Sequence, residues 1–338
     1  MELKTKKLMI MRLKNSMTKV LLSLSVLVFF ALNALTQATI NDGIAAFNQG
    51  LEERQNENYN EALNMFGEAL KIANELGEEG EELKIKIETL LPGVHYQIGM
   101  ALYNDKKIDE AIDKFKETID IANAFGDNDV VGKASNALSQ LYYFQGSANY
   151  KQKMFSEALD FYNKSIDLQP ENVKAYYMIA AVYKGLDDDE NVLAAAKKSA
   201  EMAKAENDNK YYQGSLKLGR DYFLIKANSA KDAKNYDDAI GYLKNSLEFD
   251  GENSTTYYLM VQIYSSMQNW GETITAAEKG LEFDKDNPTD QAKFYYEMGN
   301  AFMGMEENEK ACDAFKKAAV GPFKESADYQ IEHVLKCE

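Results

Sequence analysis

Residues 139–172, SQLYYFQGSANYKQKMFSEALDFYNKSIDLQPEN, run directly into residues 173–206, VKAYYMIAAVYKGLDDDENVLAAAKKSAEMAKAE, and both segments carry one pattern at a spacing of 34 residues. Tyr142, Gly146, Ala158, Tyr162, Ser165 and Pro170 of the first stand where the second has Tyr176, Ala180, Val192, Ala196, Ser199 and Lys204. A large residue, a small one four later, a small one twelve after that and a bulky one four further on suit two helices that cross closely. Gly146 admits a neighbouring backbone, Ala158 does the same from the other helix, and Tyr142 and Tyr162 fill the space beside the contact. A hairpin of this kind cannot bury its apolar face alone. Repetition at a fixed period therefore predicts stacked hairpins, a solenoid.

The order large, small, small, aromatic, small, proline resembles the tetratricopeptide repeat. In that register the pattern recurs at Gly50, Tyr59, Ala62, Phe66 and Ala69, and again at Gly99, Ile108, Ala111, Phe115 and Thr118. Later copies are Ala227, Tyr236, Ala239, Leu243 and Ser246, then Val261, Trp270, Thr273, Ala277 and Gly280, then Gly299, Ala311, Phe315 and Ala318. The resemblance implies an all-α, right-handed solenoid of seven hairpins near 43–76, 92–125, 139–172, 173–206, 220–253, 254–287 and 292–325. A capping helix over 326–338 is expected to cover the last one. Packing positions are then Gly50, Ala62, Gly99, Ala111, Gly146, Ala158, Ala239, Gly299 and Ala311. No stretch alternates with period two for long enough to predict a strand.

Four intervals exceed 34 residues, and in the three longest the surplus of 13 to 15 residues is expected to lengthen helices. The endings Ala73–Gly77 and Ala122–Gly126 look like the longer variant of the family, as in kinesin light chains. Pro92 and Gly93 fall within the first extension, where a kink or break is expected.

Residues 1–38 differ in kind. Lys4, Lys6, Lys7, Arg12, Lys14 and Lys19 precede an apolar run from Val20 to Leu32, and Thr36, Gln37 and Ala38 form a small-residue exit. This is the layout of a secretory signal peptide, and Met17 opens a complete one by itself. The run is short for a membrane span, although a retained anchor remains the alternative. Export to the periplasm or medium is expected, with no membrane insertion once the signal is removed.

Without residues 1–38 the chain has 32 Lys and Arg against 53 Asp and Glu, a formal charge of −21. A field of that sign disfavours nucleic acid and anionic lipid and favours a basic or neutral protein or peptide partner. The same acids also keep a long solenoid soluble.

Chemistry-bearing motifs are sparse. His95 and His333 belong to no metal-binding pair, and His95 holds the packing slot of Tyr142 and Tyr176. The acidic run Asp187–Glu190 lacks the alternation, glycine and distal glutamate of a calcium loop and reads as a solvated turn. No glycine-rich phosphate loop follows a strand. The sequence thus predicts no cofactor, no metal and a non-enzymatic role. Cys312 and Cys337, the two cysteines, form either a staple worth roughly 3 kcal/mol in an oxidising compartment or two reduced thiols.

Five copies place a tyrosine directly after the large residue: Tyr96, Tyr143, Tyr177, Tyr258 and Tyr296. Neighbouring helical residues point about 100° apart, so the second ring cannot share the hairpin contact of the first. In the family this position faces the concave surface, which implies a tyrosine-lined groove for an extended peptide, or for sugars stacking on the same rings. Alternatively the rings fill the seam between repeats. Family members that clamp a terminal carboxylate use lysine and asparagine on these helices. Here the matching positions hold Ser147, Ala181 and Gln262, and Asn300 alone matches in type.

Overall fold

The computed structural model describes residues 38–284 and 287–337. The signal peptide expected over 1–38 lies outside the described residues apart from Ala38. The rest forms seven antiparallel helix pairs. These are α1 (Ile40–Gln55) with α2 (Tyr59–Leu76), α3 (Glu81–Asn104) with α4 (Ile108–Phe125), and α5 (Asn128–Lys151) with α6 (Phe155–Leu168). They continue as α7 (Val173–Leu186) with α8 (Asp189–Ala205), and α9 (Asn209–Asp232) with α10 (Tyr236–Leu247). The last are α11 (Ser254–Ser266) with α12 (Trp270–Phe283), and α13 (Pro288–Gly304) with α14 (Asn308–Ala318). Among the described residues there is no strand. Contacts divide the chain into two compact units, one ending at Leu138 and the other starting at Ser139, within α5.

The small residues of the second helices explain how each pair closes. Ala62, Ala111, Ala158, Val192, Ala239, Thr273 and Ala311 are all 0% exposed, so the helix axes approach over side chains of one to three heavy atoms. In four pairs the glycine of the first helix receives a ring from the second. A Cβ on Gly50, Gly99, Gly146 or Gly299 would meet Phe66, Phe115, Tyr162 or Phe315 at 2.7–2.8 Å. Ala196 and Ala277 stand at the ring position in two other pairs. There a buried phenylalanine from the following first helix enters the same cluster, Phe223 beside Ala196 and Phe294 beside Ala277.

Every pair turns alike. Glu57, Lys106, Lys153, Asp187, Lys234, Gln268 and Glu306 adopt φ of 56–63°, a left-handed conformation. The amide after each donates to the carbonyl five residues back, as Met154 does to Asn149 at 3.0 Å and Asn269 to Tyr264 at 2.9 Å. This six-to-one bond ties off the first helix. None of the seven is glycine, so each turn tolerates the cost of an L-residue in that region.

The surplus residues lengthen α3, α5 and α9, each 24 residues long. Each therefore starts eleven residues before the hairpin boundary read from the repeat register. The break expected at Pro92 does not occur: α3 is continuous through it. Proline removes one amide donor, and the flanking Ile87 and Val94, both 0% exposed, are held in one cluster with Phe66 and Ala69.

The closing segment is less regular than the single helix expected. A 3-10 turn (Gly321–Phe323) leads to α15 (Lys324–Tyr329) and then to a π-helical turn (Gln330–Leu335). Ala327 is fully buried against α14, with Ile331 and Leu335 packed beside Phe315. A disulfide joins Cys312 to Cys337 with their Cα atoms 5.8 Å apart. Among the described residues no helix is long and apolar enough to cross a membrane.

Candidate functional site

Within each unit the first helices of successive pairs touch, α1 with α3, α7 with α9 and α11 with α13, more closely than the second helices do. In these places the first helices are the closer neighbours. Tyr96 belongs to the first unit; Tyr143, Tyr177, Tyr258 and Tyr296 belong to the second. All five are half-buried.

Each ring leans on another aromatic ring. Tyr96 lies 5.8 Å from Phe115, Tyr143 5.8 Å from Tyr162, and Tyr258 5.5 Å from Phe294. Tyr296 sits between Phe315 at 5.5 Å and Phe323 at 5.4 Å, so the closing segment helps to fix it. One side of each ring thus seals the packing while the rest stays accessible. Their partners in the doublets are packing residues: Tyr142 is buried, and Tyr257 stacks on Phe283 at 5.7 Å. His95 places Nδ1 3.4 Å from Glu117 Oε1, and burial lowers its pKa against the opposing pull of that carboxylate.

One tyrosine escaped the sequence reading. Tyr211, in the added first turn of α9, reaches back to Tyr177 with ring centroids 5.4 Å apart. Burial raises its pKa first, and the nearby Tyr143 raises it next, placing Tyr143, Tyr177 and Tyr211 in one cluster. Its signal was the doublet Tyr211–Tyr212, which lies outside the 34-residue register. The exposed ring of Phe144 continues the cluster, edge-on to Tyr143 at 5.8 Å. Beneath it the Tyr162 hydroxyl donates to Ser147 Oγ at 3.2 Å, and burial pushes its pKa up to about 12. In the fifth pair the corresponding residue is Leu224, which interrupts the tyrosine row.

A second, more polar cluster surrounds Tyr258. The Lys293 ammonium lies 5.6 Å from its ring centroid and pairs with Asp284 at 3.2 Å. Ser265 Oγ and Asn300 Nδ2 both donate to Glu297 Oε2, at 3.2 and 3.5 Å. Burial raises the Tyr258 pKa and Glu297 adds to the effect, against a hydrogen bond with Gln262. Asn300 is thus committed to a carboxylate of its own chain.

The acidic turn before α8 is solvent-exposed, as expected, and also serves as a joint. The Tyr222 hydroxyl bonds Asp187 at 3.0 Å and Asp189 at 2.5 Å, Tyr242 donates to Asp189 at 2.7 Å, and Lys226 pairs with Asp187 at 2.9 Å. These contacts hold α8 to α9 and α10. Among the described residues no three His, Cys, Asp or Glu side chains are grouped to hold a metal ion.

The tetratricopeptide repeat family model matches residues 139–172 and 292–319, the third and the last pairs. No curated protein matches the chain in sequence. Solved structures with similar folds include a tetratricopeptide repeat protein from Parabacteroides merdae, at 16% identity over 85% of this chain and 96% of that one, with a TM-score of 0.28. Another is the TPR2AB domain of yeast Sti1, in complex with a pHSP90 partner, at 12% identity over 85% and 93%, with a TM-score of 0.30. A third is YrrB, described as having an unusual peptide-binding site, at 20% identity over 58% and 88%, with a TM-score of 0.27. The family match thus identifies tetratricopeptide repeats at the third and the last pairs.

Proposed function

We propose that the protein is a non-enzymatic scaffold of the cell envelope that holds an extended peptide of a partner protein along the inner face of its second unit. The observation carrying this reading is the cluster of Tyr143, Tyr177 and Tyr211, three half-buried rings from three successive first helices. Rings already fixed on one side lose little entropy when a ligand covers the other, and their hydroxyls suit a peptide backbone. Selection of a displayed library of random twelve-residue peptides on residues 39–338 tests it. Extended peptides should bind, and the Tyr143→Ala, Tyr177→Ala double variant should bind them at least about tenfold more weakly with unchanged helical circular dichroism. Binding of glycans on a carbohydrate array, with no peptide selected, would replace this reading by sugar stacking on the same rings.

Export completes the proposal, and two features support it. The Cys312–Cys337 disulfide suits an oxidising compartment. Thr39, the first residue after the expected cut, is the N-cap of α1, and its amide donates to Asp42 Oδ2 at 2.8 Å in a capping box. The intact mass of protein recovered from cells should correspond to a chain starting at Thr39; a chain retaining residues 1–38 would favour the membrane-anchored alternative.

A further inference from the structure

Glu297 is more buried than Asp290, the other acid of α13. It is half-buried, and both donors to Oε2 are neutral: Ser265 Oγ from α11 at 3.2 Å and Asn300 Nδ2 at 3.5 Å. Among the described residues no lysine or arginine comes within 4.0 Å of it. The cation best placed by sequence to neutralise it, Lys293 one helical turn earlier, is drawn instead to Asp284 at 3.2 Å. The carboxylate is thus held in place without being neutralised.

A carboxylate fixed in place without a countercharge gains a charge-assisted hydrogen bond when a ligand supplies a cation. Because Ser265 and Asn300 already fix the rotamer, little side-chain entropy remains to be lost on binding. A terminal carboxylate, the ligand of the lysine and asparagine clamp, would meet repulsion here. Charge complementarity therefore names the occupant.

We propose that Glu297 forms a subsite that selects an arginine or lysine side chain of the bound peptide. This rests on the reading of the inner face as a peptide site and adds to it the residue that sets specificity. Guanidinium fits best, since its planar fork presents several donors to a carboxylate in one plane.

The test selects one library of displayed random twelve-residue peptides on the parent protein and on the Glu297→Gln variant. Glutamine keeps an oxygen for Ser265 and Asn300 and removes the charge, so the local packing is retained. The parent should enrich arginine or lysine at one fixed distance from an aromatic position, and the variant should lose that enrichment while still selecting peptides. A synthetic peptide from the parent selection should bind the variant about tenfold more weakly, and its Arg→Ala analogue should bind parent and variant equally. The preference should also weaken with added salt. Peptides selected with no basic preference, or with a preference that survives Glu297→Gln, would overturn the subsite and leave the groove standing. Failure to select any peptide on the parent would remove both.

Discussion

The hairpins α5–α6 and α7–α8 follow each other at the same 34-residue period, yet they are filled from different directions. In α5–α6 the ring of Tyr162 crosses onto Gly146, and the pair supplies its own filling. In α7–α8 the equivalent residues are Ala180 and Ala196, neither of which reaches across the gap. Phe223 of α9, 0% exposed, joins that cluster instead, stacked on Phe249 and Tyr242 with centroids 6.3 Å apart in both cases. The contrast shows that the conserved quantity in a stack is filled volume, and that the ring supplying it can come from the next copy.

Substitutions at the two fillings sharpen this contrast. Phe223→Ala should have the largest effect, a destabilisation of about 3–5 kcal/mol in urea unfolding, because it empties the interior of two pairs at once. A loss near 1 kcal/mol would show that α7–α8 closes without its neighbour. Gly146→Ala should cost about 1–3 kcal/mol, since its Cβ would stand 2.8 Å from the Tyr162 ring. The same change at Gly241 in α10, with nothing within 4 Å of the added carbon, should stabilise by about 0.5–1 kcal/mol. Equal effects at the two glycines would refute the ring-on-glycine account. The smallest effect is a pH slope. Burial raises the Tyr162 pKa to about 12, above its unfolded value near 10, so the associated stability is present below pH 10 and is lost as pH rises toward 12. Unfolding of Tyr162→Phe, compared with the parent between pH 9 and 11.5, should show a flatter alkaline decline.

Much of this was legible from residue spacing. The alternation of small and bulky positions foretold an all-helical repeat fold, because a close helix crossing admits few side-chain sizes and leaves a mark at each copy. The break expected at Pro92 failed because a local rule was applied where tertiary packing decides: buried Ile87 and Val94 hold α3 through it. Phe223 and Phe294 were not recognised as fillings, since a register that compares copies one by one does not look for exchange between them. Tyr211 lay in the surplus residues and had no counterpart to align with. Glu297 was invisible for a different reason: its distinction is the absence of a nearby cation, which follows from the direction Lys293 takes and leaves no trace in spacing.

The backward reach of α9 carries a consequence for anyone wishing to cut or recombine this chain. That helix lends Phe223 to its predecessor's interior and Tyr211 to its predecessor's surface. The smallest transplantable block in this region is thus residues 173–249 taken whole, Phe249 included; a graft ending at residue 206 would arrive hollow and missing a wall.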